Sequence, residues 1–240
     1  MSALTDALRQ QLEQVSVATI TTALFKRGLR NQLIQGVYPV GPGKKTRMIG
    51  PAFTLRYMPA REDLNQLSVF RDREHPQRKA IEECPPGSVF VIDSRKDGRA
   101  ASAGGILVTR LQQRGVAGIV TDGGFRDSAE IAGLSIPAYH HNPAPPTNLT
   151  HHQAIDINVP IGCGDAPVFP GDIIFGDEEG VVVIPAHLVE EIAQEAFEMT
   201  AFEDFVTEKV KEGRSVLGLY PATDPNTLDE FAEWRKANQR

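Results

Sequence analysis

Three consecutive segments limit what this chain can fold into: Ser88–Asp93, an apolar run of strand length; Ala100–Arg114, with Ile106, Leu107 and Leu111 at helical spacing; and Val116–Thr121, a second apolar run. Strand, helix and strand with short connections predict a βαβ unit whose two strands lie parallel and buried. The loops leaving both strands then open on one edge of the sheet, where α/β proteins place their ligands.

Other elements are predicted around that unit. Apolar positions from Leu8 to Leu24 follow a helical period broken near Ser16, which predicts two short helices with Ser16 capping the second. After a Gly41-Pro42-Gly43 loop, Met48–Tyr57 reads as a strand, and the charged stretch Arg61–Arg78 as a helix or partly ordered flap. Ser128–Leu134 predicts one or two helical turns, and Ile136–Tyr139 another strand. Ile173–Asp177 and Val181–Ile184 predict a hairpin, and His187–Lys211 a long helix with Leu188, Ile192, Ala196 and Phe197 on one face. The expected organisation is one α/β domain over 1–220, followed by an amphipathic tail over 221–240 that carries Trp234.

With 240 residues, 41% of them hydrophobic, the chain has material for a substantial core. A net charge of -6 without a basic stripe argues against a nucleic-acid surface. No segment has the run of apolar residues a membrane span needs, and the N-terminus lacks the pattern of a secretion signal. The two cysteines, Cys84 and Cys163, have no CxxC partner or zinc-like spacing and are expected to be reduced thiols in a cytoplasmic protein.

The second strand of the βαβ unit ends in Asp122-Gly123-Gly124-Phe125-Arg126-Asp127. The glycine pair is expected to adopt a backbone shape closed to other residues. Arg126 offers a planar fork of donors that matches a carboxylate, such as that of a 2-oxo acid, although a salt bridge to a neighbouring acid is the plainer role. Asp127 can cap the helix expected at Ser128, or serve as a hard oxygen ligand for magnesium or manganese. Asp122 is expected to orient the loop. Gly104 and Gly105 stand where the preceding helix begins, so their N–H groups can hold an anion, or the pair can simply permit tight packing. His140-His141 and His151-His152 can each turn only one ring toward a shared site, which argues against a metal centre there, and Pro143-Ala144-Pro145-Pro146 reads as a rigid loop.

These motifs, with Gly50-Pro51-Ala52-Phe53-Thr54, Pro170-Gly171-Asp172 and Gly176–Pro185, resemble the RraA-like family from about Ser16 to Gly218. That family includes class II 4-hydroxy-4-methyl-2-oxoglutarate / 4-carboxy-4-hydroxy-2-oxoadipate aldolases and a regulator of ribonuclease E activity. The resemblance implies a swivelling β/β/α fold with a helical N-terminus and a long C-terminal helix, assembled as a trimer or hexamer with sites between subunits. It also implies roles: Arg126 holding the pyruvyl carboxylate, Asp127 binding a divalent metal (Mg2+ or Mn2+), and Gly104, Gly105, Ile106 and Leu107 contacting substrate. Glu203 is expected to complete the catalytic group from a neighbouring subunit.

Two positions depart from the family pattern: Gly105 stands where an acid is usual, and Thr22 where an aspartate is common. The expectation is therefore a metal-dependent lyase on a 2-oxo acid, cleaving a 4-hydroxy-2-oxo acid to pyruvate or decarboxylating oxaloacetate. The alternatives are a regulator that binds a ribonuclease, and a sugar-acid lyase or dehydratase.

Overall fold

The computed structural model describes residues 4–41 and 47–238. Pro42 and Gly43 of the expected Gly-Pro-Gly loop lie outside the described residues. The chain opens with α1 (Asp6–Leu12), α2 (Val17–Lys26), β1 (Tyr38–Pro39) and the long β2 (Met48–Pro59), followed by a 3-10 turn at Leu67–Arg71. Next come α3 (Pro76–Glu83), β3 (Val89–Asp93), β4 (Ala101–Ala103), α4 (Gly105–Gln113), β5 (Gly118–Thr121), β6 (Gly124–Phe125) and α5 (Ser128–Gly133). The remaining strands are β7 (Ala138–His140), β8 (Asn142–Pro143), β9 (His152–Ile157), β10 (Ile161–Cys163), β11 (Ala166–Val168), β12 (Ile173–Asp177) and β13 (Gly180–Ile184). The long α6 (Val189–Lys211) and then α7 (Thr227–Asn238) follow.

An eight-stranded sheet runs β1-β7-β5-β3-β2-β12-β13, with β9 also paired to β2. Its centre is the parallel trio β2, β3 and β5, so the βαβ unit expected from the sequence is present. The long β2 takes β12 antiparallel along its first part and β9 along its last, with an irregularity between Arg56 and Tyr57. Every residue of β5, β12 and β13 is buried, as suits strands covered on both faces; this holds even for β13, which ends the sheet.

Three cores line the sheet. In one, α3, α4 and α5 set Ile81, Val108, Leu111 and Ile131 against Phe90, Ile92, Ile119 and Phe125. In the second, Leu12, Ile20, Leu24 and Ile192 of α1, α2 and α6 pack on Ile173, Phe175, Val182 and Ile184 of the hairpin. The residues alternating with these along the strands, Val89, Val91, Val120, Ile174, Val181 and Val183, form the third with Ile161, Cys163 and Val168 of β10 and β11. Ser16 does cap α2, accepting from Thr19 N–H at 3.1 Å. The tail helix α7 lies on α6, with Phe231 and Trp234 against Phe205, and Trp234 Nε1 donates to Glu208 at 2.9 Å.

The segment expected to be helical from Ala100 begins instead as β4, and the helix starts at Gly105. The three residues of β4 pair with β6, and β6 with β8, in a small parallel sheet beside the main one. The proline run is consequently anchored: Ala101 N–H donates to Pro146 O at 2.9 Å and Ala144 N–H to Phe125 O at 2.8 Å. Among the described residues no helix is long and apolar enough to cross a membrane, and Cys84 and Cys163 are buried free thiols.

His140 is buried, stacked on Phe125 at 5.6 Å between ring centroids, and its Nδ1 has no hydrogen-bond partner among the described residues. Burial, helped by His141, pushes its imidazole down to about 4. A folded-state value below the unfolded one means stability that is complete above the unfolded pKa and is lost as pH falls toward 4. The loss from this group is about 2 kcal/mol by pH 5. His75 and His152 shift in the same direction, each chiefly through burial. Denaturant unfolding is therefore expected to show stability falling from pH 7 to pH 5, with a smaller fall in His140→Phe; equal slopes would assign the pH dependence elsewhere.

Candidate active site

Asp122, at the end of β5, organises the site without facing it. Its buried carboxylate accepts from three backbone N–H groups: Ser94 at 2.7 Å, Lys96 at 3.1 Å and Gly164 at 3.1 Å. Two loops from distant parts of the chain, the one after β3 and the turn between β10 and β11, thus close on one side chain, in line with the expectation that Asp122 orients the loop. Burial raises its carboxyl above the usual range, and the backbone donors counter that shift. Below it, Ser94, Ser102 and Thr121 form a buried hydroxyl triangle with sides of 2.7, 2.7 and 3.1 Å.

The glycine pair after Asp122 serves a purpose other than the expected one. Neither Gly123 nor Gly124 has a positive φ. What excludes a side chain is space: a Cβ on Gly123 would stand 2.6 Å from Ser94 Cβ, and one on Gly124 2.3 Å from Ala144 Cβ. The pair lets β6 slide between its neighbours, and the fully buried Phe125 ring anchors it there, worth about 1.5–3 kcal/mol of burial.

The left-handed backbone falls on Asp127, at φ 58° and ψ 36°. This conformation costs of order 1–3 kcal/mol for a residue other than glycine, and Asp tolerates it better than most. Asp127 stands at the N-cap position of α5 but makes no side-chain cap bond, so its capping reading is not met. Instead its Oδ2 accepts from Gly105 N–H at 3.1 Å and lies 3.5 Å from Arg126 Nε, while both side chains remain partly exposed. The two glycine loops meet as the βαβ geometry predicted. A Cβ on Gly104 would sit 2.7 Å from Arg126 Cγ and 2.9 Å from Asp127 Oδ2, so the bare backbone there is the seat of both side chains.

Position 105 also receives a carboxylate, though from another element. A Cβ on Gly105 would lie 2.7 Å from Glu130 Oε2, so the Glu130 side chain reaches from α5 over the residue that lacks an acid of its own. Gly105 itself is buried beneath these side chains.

Arg126 and Asp127 open on a cavity of about 230 Å3, with Gly104, Ile106 and Leu107 on the same wall. The rest of the lining comes from parts of the chain that no motif had singled out: Phe70, Gln77 and Arg78 from the charged stretch, and Thr147 and Asn148 after the proline run. Gln77 is fixed by donating to Tyr57 Oη at 2.8 Å and Ser102 O at 2.9 Å. The charged stretch is in fact a turn, a 3-10 segment and the start of α3, folded over the site.

Glu203 does not line this cavity within its own chain. It sits on α6, accepting from Thr19 Oγ1 and Tyr220 Oη, both at 3.2 Å. Among the described residues no group of three or more His, Cys, Asp or Glu gathers to hold a metal, and the histidine pairs split as expected, with His140 and His152 buried and His141 exposed.

A curled mixed sheet flanked by N-terminal helices and a long C-terminal helix, with two glycine loops meeting at the end of a βαβ unit, defines an α/β protein of a recognisable class. The chain belongs to the RraA-like family (Aldolase/RraA), whose sequence pattern matches residues 5–183. It is 32% identical over 189 residues to a Halalkalibacterium halodurans protein provisionally named 4-hydroxy-4-methyl-2-oxoglutarate aldolase, covering 78% of this chain and 80% of that one. It is 29% identical over 119 residues to the 4-hydroxy-4-methyl-2-oxoglutarate aldolase of Thermus thermophilus, covering 50% and 71%. Among solved structures it is similar to Streptomyces coelicolor RraAS2, described as an unusual member of the RNase ES inhibitor RraA family. There the TM-score is 0.73 and the identity 28%, with 84% of this chain and 96% of that one covered.

Proposed function

We propose that the chain is a divalent-metal-dependent lyase acting on a small 2-oxo acid, cleaving a 4-hydroxy-2-oxo acid to pyruvate or releasing carbon dioxide from oxaloacetate. The observation that carries this reading is the pairing of Arg126 and Asp127 on one wall of a small cavity, with Asp127 held in a left-handed conformation by Gly105 N–H. The names of its relatives point to the same class of reaction.

Arg126 binds the carboxylate of the pyruvyl half as a bidentate fork, and the start of α4 at Gly104–Leu107 seats the adjoining oxygen. The donor set fits a hard cation, since a partly exposed aspartate oxygen lies beside a second carboxylate from Glu130 over side-chain-free backbone. Magnesium or manganese held by Asp127 supplies a Lewis acid for the 2-oxo group. Breaking the C3–C4 bond, one carbon removed from the oxo-bearing C2, leaves the electron pair on C3 of the pyruvyl half in conjugation with the 2-oxo group. The positive charge of Arg126 and the helix start offset it. In the retro-aldol the 4-hydroxyl gives up its proton as the second carbonyl forms, and in either reaction C3 takes up a proton to give pyruvate. Glu203 of a neighbouring copy completes the catalytic group in a trimer or hexamer. Its place outside the cavity lining of its own chain and the 83% exposure of Ile106 at the cavity support that assembly.

Purified protein with magnesium or manganese is expected to release pyruvate from at least one member of a panel of 4-hydroxy-2-oxo acids, and to lose that release on chelation. A regulatory reading draws on the likeness to RraAS2. Capture of a ribonuclease at micromolar strength by protein that turns over no panel member would favour that reading.

A further inference from the structure

Glu203 is half-buried, and each oxygen of its carboxylate already accepts one bond: Oε2 from Thr19 Oγ1 and Oε1 from Tyr220 Oη, both at 3.2 Å. The tyrosine belongs to a turn after α6, beyond the residues 5–183 that match the family. That turn is fixed from within. Tyr220 N–H donates to Val216 O at 2.9 Å, and Thr223 and Asp224 N–H to Gly218 O at 2.9 and 3.0 Å. Leu219 is fully buried with Phe205 and Val206, Arg214 at its base pairs with Glu230, and the Tyr220 ring stacks on Phe202. Yet the same turn displays Leu217 at 88% exposure, with Val216 and Tyr220 half exposed beside it. A rigid turn that sets three large side chains in water next to a held carboxylate is suited to contact with another surface.

The cavity offers a complementary surface. Ile106 stands at its edge, and Leu67, in the same 3-10 segment as the lining residue Phe70, is 74% exposed. Arg78 and Arg126 both line the cavity against the single carboxylate of Asp127, so a further carboxylate improves the charge match. A second copy of this chain carries both halves, the carboxylate and the apolar turn. Because the two patches differ, such contacts run head to tail and can close a ring.

We propose that the turn at 215–220 of one copy docks on the cavity rim of the next, with Val216 and Leu217 against Ile106, and that Tyr220 is a positioning residue that aims Glu203 into the neighbour's site. The inference rests on the reading that Glu203 serves a neighbouring copy; it adds the seat and the residue that holds the carboxylate. One donor on each oxygen fixes the plane of the carboxylate and leaves a lone pair on each for the site.

Two measurements on the full chain test this. In light scattering on a sizing column, wild-type protein is expected to run as a trimer or hexamer and Leu217→Asp as a smaller species, still folded by circular dichroism because Leu217 is exposed in the single chain. In pyruvate release with magnesium, Tyr220→Phe is expected to lower kcat about tenfold with KM little changed, the range of a hydrogen bond to a charged group. In a Glu203→Gln background the same substitution is expected to change kcat less than about twofold, since a residue acting through that carboxylate has nothing left to hold. A purely structural tyrosine would cost the same in both backgrounds. Glu203→Gln and Arg126→Ala chains, each much slower alone, are expected to regain release when refolded together. Leu217→Asp that assembles like wild type, Tyr220→Phe that keeps the wild-type kcat, or a loss equal in both backgrounds overturns the proposal, and regained release in the mixture then leaves the reading of Glu203 standing. A mixture that regains nothing overturns that reading and the proposal with it.

Discussion

Arg126→Ala and Asp127→Ala are each expected to reduce metal-dependent pyruvate release by on the order of 10^3-fold, and in Arg126→Ala the thermal midpoint moves little. The size follows from the loss of a charged group aimed at developing charge, typically 10^2–10^3 for one donor. Stability is largely spared in Arg126→Ala because both side chains are partly exposed and their mutual contact is a 3.5 Å surface pair, worth at most about 1 kcal/mol. Asp127→Ala is expected to cost about 1–3 kcal/mol more, because it leaves Gly105 N–H without its acceptor and sets alanine in the left-handed conformation. The two variants should separate in their metal dependence. Arg126→Ala keeps the cation ligand and loses affinity for the 2-oxo acid, whereas Asp127→Ala shifts the metal requirement itself. Manganese titration is the check: unchanged metal affinity in Asp127→Ala contradicts the role given to that carboxylate.

The largest effect on the fold is expected at Asp122. Removing its carboxylate leaves the N–H groups of Ser94, Lys96 and Gly164 without their acceptor in a buried setting. Asp122→Ala is therefore expected to cost about 3–5 kcal/mol in denaturant unfolding. Asp122→Asn, which keeps one acceptor oxygen, should cost less. Because the same side chain ties the β5 end to the loops before and behind it, activity should fall with stability in Asp122→Ala. A loss below about 1 kcal/mol would show that the loops hold their places without it.

The contrast between Asp122 and the cavity's far wall shows what local pattern conveys. A strand, helix and strand with loops on one edge follows from periodicity, because alternation of buried runs and a helical stripe is decided within each segment. The meeting of Gly104 and Gly105 with Asp127 follows from that topology, and it is present. The sequence points to an unusual backbone at the glycine pair, but glycines can be kept for room as well as for φ. Gly123 and Gly124 need room, and the left-handed turn falls on Asp127. Strand β4 is hidden inside the helical reading because three residues carry too little pattern to oppose the helical spacing that follows; its partner, Gly124–Phe125, lies far along the chain. Arg78 and Asn148 belong to no motif, and only tertiary folding brings them to the cavity that Arg126 lines. Glu130 is hidden for a similar reason. It looks like an ordinary acid in the first turn of a short helix until α5 is seen to carry it over Gly105.

The central claim is that the Arg126–Asp127 cavity carries out chemistry on a 2-oxo acid beyond what a free metal ion does. Oxaloacetate tests it most directly, because metal ions alone also promote its decarboxylation and so set the baseline. Time courses of pyruvate formation with magnesium or manganese, with and without the protein, should show a protein-dependent rate that saturates with oxaloacetate and disappears on chelation. A rate equal to that of the metal alone at every oxaloacetate concentration would contradict the account.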